Sequence, residues 1–237
     1  MTQFSNIRNY AKLSVAPMMD WTDRHCRYFH RTLSKNTLLY TEMVTSPALI
    51  KGNATHLLEF DKSEHPIALQ LGGSDPIELA KAAVIGSKYG YDEINLNVGC
   101  PSDRVQSGTF GAVLMKTPEV VAKCCKEMID AVDTEVTVKC RVGVDQQKPD
   151  VTLPKFLEHI SNAGVTRVII HARKAMLSGL SPKQNRNVPP LNYELVYKMK
   201  ELFPDLHISL NGGIQSIQQA KSHLENGIDG VMIGRAA

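Results

Sequence analysis

Residues 67–97 read IALQLGGSDPIELAKAAVIGSKYGYDEINLN. A largely apolar run, Ile67–Leu71, leads through Gly-Gly-Ser to an Asp75-Pro76 pair and a helical pattern over Pro76–Tyr89. Asp is a favoured helix cap, and proline is preorganised for the first helical position. Gly90 follows, where a helix can end in left-handed backbone, and a second strand-like run spans Glu93–Asn97. Runs such as ALQL have the near-continuous apolar character of a strand covered on both faces, so the segment reads as a strand, a crossover helix and a parallel strand.

The unit repeats in both directions. Further strands are predicted at Leu13–Ala16, Thr37–Tyr40, Val136–Cys140, Arg167–Ile170, His207–Leu210 and Gly230–Ile233. Further helices are predicted at Pro118–Val132, Leu153–Ala163, Tyr193–Phe203 and Ile217–Glu225. Thr117-Pro118 repeats the cap-then-proline signal, and Gly164 and Gly227 stand where helices should stop. Eight strands with helices between them predict an α/β fold, a (β/α)8 TIM barrel, with the chain ending just after the eighth strand. An open doubly wound sheet is the alternative, although it would normally show fewer strands over this length. No Pro/Gly/Ser-rich linker divides the chain, so residues 1–237 are expected to form one barrel domain.

The chain has 237 residues, 43% hydrophobic and 22% charged, an ordinary globular balance and a length that one barrel can use. No apolar run approaches the ~18 residues that cross a bilayer, which excludes a membrane-spanning role by helices. The N-terminal MTQFSNIRNYAKL lacks the apolar core of a signal peptide, so a cytoplasmic location is expected. Cysteines stand at 26, 100, 124, 125 and 140, with no C-x-x-C pair. A disulfide framework or zinc ribbon is therefore not expected, and no metal is assigned. Net charge is +3, and the excess is local: from His171 to Pro190 the chain carries Arg173, Lys174, Lys183 and Arg186 without an acid. That window suits a polyanion, although a solvated loop would explain the charges alone equally well.

In a barrel, chemistry belongs in the loops after the C-terminal ends of the strands. The distinctive segments fall there: Pro17-Met18-Met19 after strand one, Gln70 ending strand three, and Asn97-Val98-Gly99-Cys100-Pro101 after strand four. Lys139 and Arg141 end strand five, and His171 and Arg173 end strand six. Asn211-Gly212-Gly213 follows strand seven, and Gly234-Arg235 follows strand eight. Glycines at two adjacent strand ends would let backbone amides approach a phosphate, with Arg235 as a charged fork. Asn-Gly-Gly alone is as often a plain turn. No G-x-G-x-x-G or Walker motif is present.

The segments APMMDWTDRHCRYFHR (16–31), LNVGCPSDRVQSGTFGAVLM (96–115), VKCRVGVD (138–145), IIHARKAMLSGLSPKQNR (169–186), LNGGI and IGRA closely resemble the tRNA-dihydrouridine synthases, best the DusA type. The resemblance covers essentially the whole chain from Ala16. It implies FMN in the barrel mouth and NADPH as hydride source. Pro17, Met18 and Met19 would then lie along the isoalloxazine, with Gln70 at its edge. Lys139 would stand by the N1/C2-carbonyl end, where reduced flavin is negative, and His171 would meet flavin or phosphate. Asn211, Gly212, Gly213, Gly234 and Arg235 would hold the phosphate. Without the resemblance, Met18 and Met19 could equally be core.

Cys100 becomes the candidate proton donor. Reduction of the uridine C5–C6 bond needs hydride at C6 and a proton at C5, and an ordinary thiol is protonated at neutral pH. Cys100 alone stands in a rim turn; Cys26, Cys124 and Cys125 lie in helical runs, and Cys140 should point to the strand face opposite Lys139. The resemblance also places Asn97, Lys183 and Arg186 against tRNA, with Arg173 and Lys174 as neighbours, and the target uridine must be turned out of its stack. Family members continue after GRA with an eighth helix and a C-terminal helical tRNA-binding domain, which these residues do not include. Weak tRNA activity, and a monomer able to self-associate through the uncovered barrel edge, are expected on that basis. Two other readings remain: a flavoprotein barrel for a small pyrimidine such as dihydroorotate, and a non-catalytic RNA- or flavin-binding fragment.

Overall fold

A computed structural model describes residues 5–102 and 109–237. Eight parallel strands form one sheet in the order β1-β8-β7-β6-β5-β4-β3-β2. They are β1 Leu13–Val15, β2 Leu39–Thr45, β3 Ile67–Gly72, β4 Glu93–Val98, β5 Glu135–Arg141, β6 Arg167–His171, β7 His207–Asn211 and β8 Gly230–Ile233. The ring closes at Leu38, whose carbonyl accepts from Val15 N–H at 3.0 Å and whose N–H donates to Leu13 O at 3.1 Å. This is the expected TIM barrel.

Strand β8 and the helices Pro76–Tyr89 and Ile217–Glu225 have the predicted ends. Asp75 caps its helix by accepting from Glu78 N–H at 2.8 Å, and Gly90 ends it at φ 91°. Most other predicted elements end within a residue of expectation, and three departures are larger. Thr117 precedes Pro118 as predicted but makes no side-chain cap, because a 3-10 turn, Gly111–Lys116, runs directly into it. The helix predicted from Leu153 begins at Pro149, a proline start hidden in a polar stretch. Strand β2 lies later than expected: polar Thr41, Glu42 and Thr45 carry it to the mouth, and its register with β3 shifts between Tyr40 and Met43.

Strand alternation explains the core. The outward faces of β3 to β7, among them Leu69, Leu71, Ile94, Leu96, Val136, Val138, Val168, Ile170, Ile208 and Leu210, pack into one apolar shell with helical side chains such as Leu79, Val121, Phe156 and Val196. Each such side chain contributes about 1.5–3 kcal/mol through burial. The inward residues are largely polar and buried: Gln70, Glu93, Asn95, Asn97, Glu135, Thr137, Arg167 and Ser209. At the floor Arg167 pairs with Glu93 and, at 3.2 Å, with Glu135, while Tyr40 Oη donates to Glu93 at 2.8 Å. A short helix unforeseen in the sequence, Ser5–Tyr10, plugs this end. Its Ile7, with Ala11 just beyond it, packs on Leu38, Tyr40, Ala68, Ile169 and Met232. Gly230 permits the approach, since a Cβ there would lie 2.3 Å from Ala11 O. No described helix is long and apolar enough to cross a membrane.

Candidate active site at the mouth of the barrel

The strand ends gather a thiol, a group of cations and a glycine cradle at one rim. Strand β4 ends in Asn97, whose Oδ1 accepts from the backbone N–H groups of Gly99 (3.1 Å) and Cys100 (2.9 Å). This side-chain turn fixes the half-buried Cys100, whose Sγ lies 3.5 Å from Ser102 Oγ and whose carbonyl accepts from Ala112 N–H at 2.9 Å. Residues 103–108 of the same motif fall outside the described residues. Asn97 Nδ2 donates to Gln70 Oε1 at 2.8 Å. Asn97, expected to face tRNA, thus has both ends of its amide engaged within the chain.

Strand β5 and the loop after β6 supply the cations. Arg141 is 3% exposed and donates from Nε to Gly99 O at 3.1 Å and from Nη1 to Lys174 O (3.3 Å) and Asn185 O (3.0 Å). It has no carboxylate partner among the described residues, and burial pushes its guanidinium down to about 10. Lys139, near the end of β5, is half-buried. Burial, with Arg141 beside it, pushes its ammonium down to about 8. Its Nζ donates to Asn211 Oδ1 at 3.1 Å, and Asn211 Nδ2 is held by Met232 O at 2.8 Å. Burial, then the charges of Arg141, Lys139, Arg173 and Arg186, hold His171 well below the ordinary histidine range, so its ring is neutral at pH 7.

The cradle follows β7. Gly212 sits at φ 114°, and a Cβ there would lie 2.7 Å from His171 Cδ2. Its carbonyl accepts from Tyr193 Oη at 2.6 Å. Gly213, exposed at φ 73°, has Leu191 and Tyr193 where a Cβ would stand. Gly234 is more open, with Ala16 Cβ and Met18 Sδ 3.8 Å from a built Cβ. Arg235 is exposed and donates to Asn187 Oδ1 at 2.9 Å. Across the mouth, Pro17 and Met18 are half-buried and Met19 is 51% exposed. Thr22 Oγ1 fixes that turn by accepting from Met18 N–H at 2.9 Å.

The basic loop is folded around Asn185, a residue with no local signal in the sequence. Asn185 is fully buried; its Oδ1 accepts from Met176 N–H at 2.7 Å and its Nδ2 donates to Met176 O (2.9 Å) and Leu180 O (3.1 Å). Around this pin Lys183 and Arg186 are exposed. Arg173 and Lys174 are half-buried: Arg173 donates to Pro189 O, and Lys174 Nζ to Asp145 O at 2.7 Å. Arg141 is recognisable in the sequence as a strand-end charge, but its role as a link between three carbonyls depends on the fold. Asn95 and Tyr193 carried no signal beyond strand and helix position.

A pit holding Lys139 and Arg141, ringed by Arg173, Arg186 and Arg235 and free of ion-paired carboxylate among the described residues, suits an anionic ligand. The glycine backbone at 212–213 suits a phosphate, and Met18 with Pro17 offers an apolar wall for a flat ring. The residues present therefore fit FMN. The family model described as dihydrouridine synthase matches residues 14–237. A tRNA-dihydrouridine(20/20a) synthase of Shigella flexneri is 56% identical over 238 residues, which is 100% of this chain and 70% of that protein. Its namesake in Escherichia coli K12 is also 56% identical over 238 residues, 100% of this chain and 68% of that protein. The Shewanella oneidensis namesake is 56% identical over 224 residues, 94% of this chain and 66% of that protein.

Proposed function

The chain belongs to the dihydrouridine synthase family, and from that premise we propose that it reduces D-loop uridines of tRNA to 5,6-dihydrouridine, in the manner of the DusA type, using FMN with NADPH as reductant. When bound, FMN supplies the hydride that the C6 position of uracil takes up. The rest falls to the chain's own residues. Lys139 carries positive charge at the bottom of the pit, and Asn211 keeps its ammonium in place. Gly212 and Gly213 receive the phosphate, with Gly234 and Arg235 beside them, while Pro17, Met18 and Met19 wall the ring and Gln70 meets its edge. His171, neutral, lends a hydrogen bond without adding another cation to a crowded pit.

Cys100 donates its proton to C5 of the uracil ring. The S–H bond breaks, the C5–H bond forms, and the resulting thiolate stays in a turn braced by Asn97 and by Arg141 at Gly99 O. Water then restores the thiol proton. The exposed Lys183 and Arg186 engage the phosphates of the RNA that carries the flipped uridine, and Arg173 and Lys174 shape the loop beneath them.

One observation carries this reading: a glycine cradle, a cation pit and a braced thiol share one barrel rim. The direct test is the visible spectrum of the purified protein, followed by NADPH oxidation with unmodified tRNA. The reading expects yellow protein that releases FMN on denaturation and tRNA-stimulated NADPH oxidation. Colourless protein that does not take up FMN would refute it. Turnover of a free pyrimidine in preference to tRNA would favour the small-substrate flavoprotein.

A further inference from the structure

Three buried amides inside the barrel form one directed chain, and its direction is forced. The N–H groups of Gly99 and Cys100 can only donate, so the atom of Asn97 that receives them is its oxygen. Its Nδ2 therefore faces Gln70, which must present Oε1, at 2.8 Å. Gln70 then turns Nε2 toward Asn95 Oδ1, also at 2.8 Å. Asn95 Nδ2 in turn donates to Thr137 Oγ1 at 2.8 Å. The Thr137 hydroxyl passes its proton side to Glu93, which Arg167 and Tyr40 hold. Donors anchor one end and a carboxylate anchors the other, so flipping any amide would set two donors or two acceptors face to face. Gln70, Asn95 and Thr137 are 1%, 0% and 0% exposed, so bulk solvent does not reach them to absorb such an error.

We propose that Asn95, remote from the rim, is a positioning residue: it sets the amide orientation of Gln70 and, through Gln70 and Asn97, the turn that presents Cys100. The proposal rests on the reading above, in which Gln70 meets the cofactor edge and Cys100 donates the proton. With one N–H of Gln70 spent on Asn95 and one lone pair on Asn97, a fixed donor and a fixed acceptor remain for the cofactor. Without Asn95, the Gln70 amide can rotate, and Asn97 loses the partner that holds its Nδ2.

The experiment compares FMN-loaded wild type with Asn95→Leu, Asn95→Asp and Thr137→Val. Two quantities are read: FMN affinity, and the iodoacetamide alkylation rate of Cys100 by peptide mass, with Cys26 as internal reference. Cys26 lies on another element, the helix Arg24–Leu33, outside the amide chain. Asn95→Leu is expected to weaken FMN about 10-fold, the loss of one or two oriented hydrogen bonds. It should also change the Cys100 to Cys26 rate ratio by at least about 5-fold, as a displaced turn would. Asn95→Asp keeps the acceptor for Gln70 but turns an oxygen toward Thr137 in place of the donor, so it should restore both in part. Thr137→Val, which loosens only the far end, should move both in the same direction by less, and it decides the matter should Asn95→Leu not fold. A lower melting temperature with unchanged FMN affinity and an unchanged rate ratio would overturn the proposal. If the wild type takes up no FMN, the functional reading fails, while the rate ratio in flavin-free protein still decides whether Asn95 positions Cys100.

Discussion

Lys139 Nζ reaches Asn211 Oδ1 at 3.1 Å across β6, which lies between their two strands. An amide oxygen, not a carboxylate, is thus the partner of a lysine held in a pit with Arg141. A carboxylate would neutralise the lysine and repel an anion; the amide orients it and leaves its charge for a ligand.

That arrangement costs stability, with a definite pH dependence. The ammonium is lowered to about 8 in the fold against roughly 10.4 in an unfolded chain. Below pH 8 both states hold the proton and the cost is complete. Between about 8 and 10.4 the unfolded chain binds more protons, so stability rises with pH; above that the cost is gone. Flavin-free Lys139→Met should therefore be more stable than wild type at pH 7, by about 1–2 kcal/mol after allowance for solvent at the mouth. The gap should close toward pH 10, and FMN retention should fall. Urea titrations across pH measure the first effect and absorbance the second; an equal gap at pH 7 and pH 10 would contradict the account.

Arg141 joins the thiol turn to the basic loop. Replacing it with Met strands three carbonyls, those of Gly99, Lys174 and Asn185. Each lost partner in a buried setting costs about 1–3 kcal/mol, partly relieved by water. The expected outcome is a loss of about 2–4 kcal/mol and faster limited proteolysis between 176 and 188. Unchanged cleavage there would mean that Asn185 alone holds the loop.

Gly212→Ala should abolish tight FMN binding with little change in secondary structure. The left-handed φ of 114° and the 2.7 Å approach to His171 Cδ2 both oppose a methyl group. The relief available is movement of the His171 ring or of the cradle itself. Equilibrium titration of FMN into the variant, at about 10-fold or greater loss, checks this.

Lys183→Ala and Arg186→Ala should weaken all tRNAs about alike, each reducing the slope of log K against log salt by about 1. Lys174→Ala should act differently, because its ammonium is spent on Asp145 O and Gln147 O. It should loosen the loop and leave the salt slope nearly unchanged. Filter binding at two or more salt concentrations separates the two behaviours.

The barrel was legible because each repeat carries local signals: Asp75-Pro76 opens a helix, Gly90 closes it, and the apolar outer faces of the strands mark burial. Strand β2 was misplaced because Thr41, Glu42 and Thr45 interrupt the apolar run while still continuing the ladder. The rim residues were legible as strand-end glycines and charges, yet their partners were not. Nothing local says that Asn97 spends its oxygen on the Cys100 turn, that Lys174 serves backbone carbonyls, or that Asn185 pins the basic loop. Those facts depend on strands and loops distant in sequence meeting at one end of the barrel.

The most direct test of the central claim is a single-turnover reaction. Protein reduced with NADPH is mixed with unmodified tRNA, and dihydrouridine is counted by nucleoside mass spectrometry, for wild type and Cys100→Ala. The account predicts dihydrouridine from the wild type. In Cys100→Ala it predicts retained FMN, normal reduction by NADPH, and a rate of dihydrouridine formation lower by about 100-fold or more, the usual worth of a positioned acid. Equal rates in the two proteins would remove Cys100 as the proton donor, and no dihydrouridine from reduced wild type would contradict the functional assignment itself.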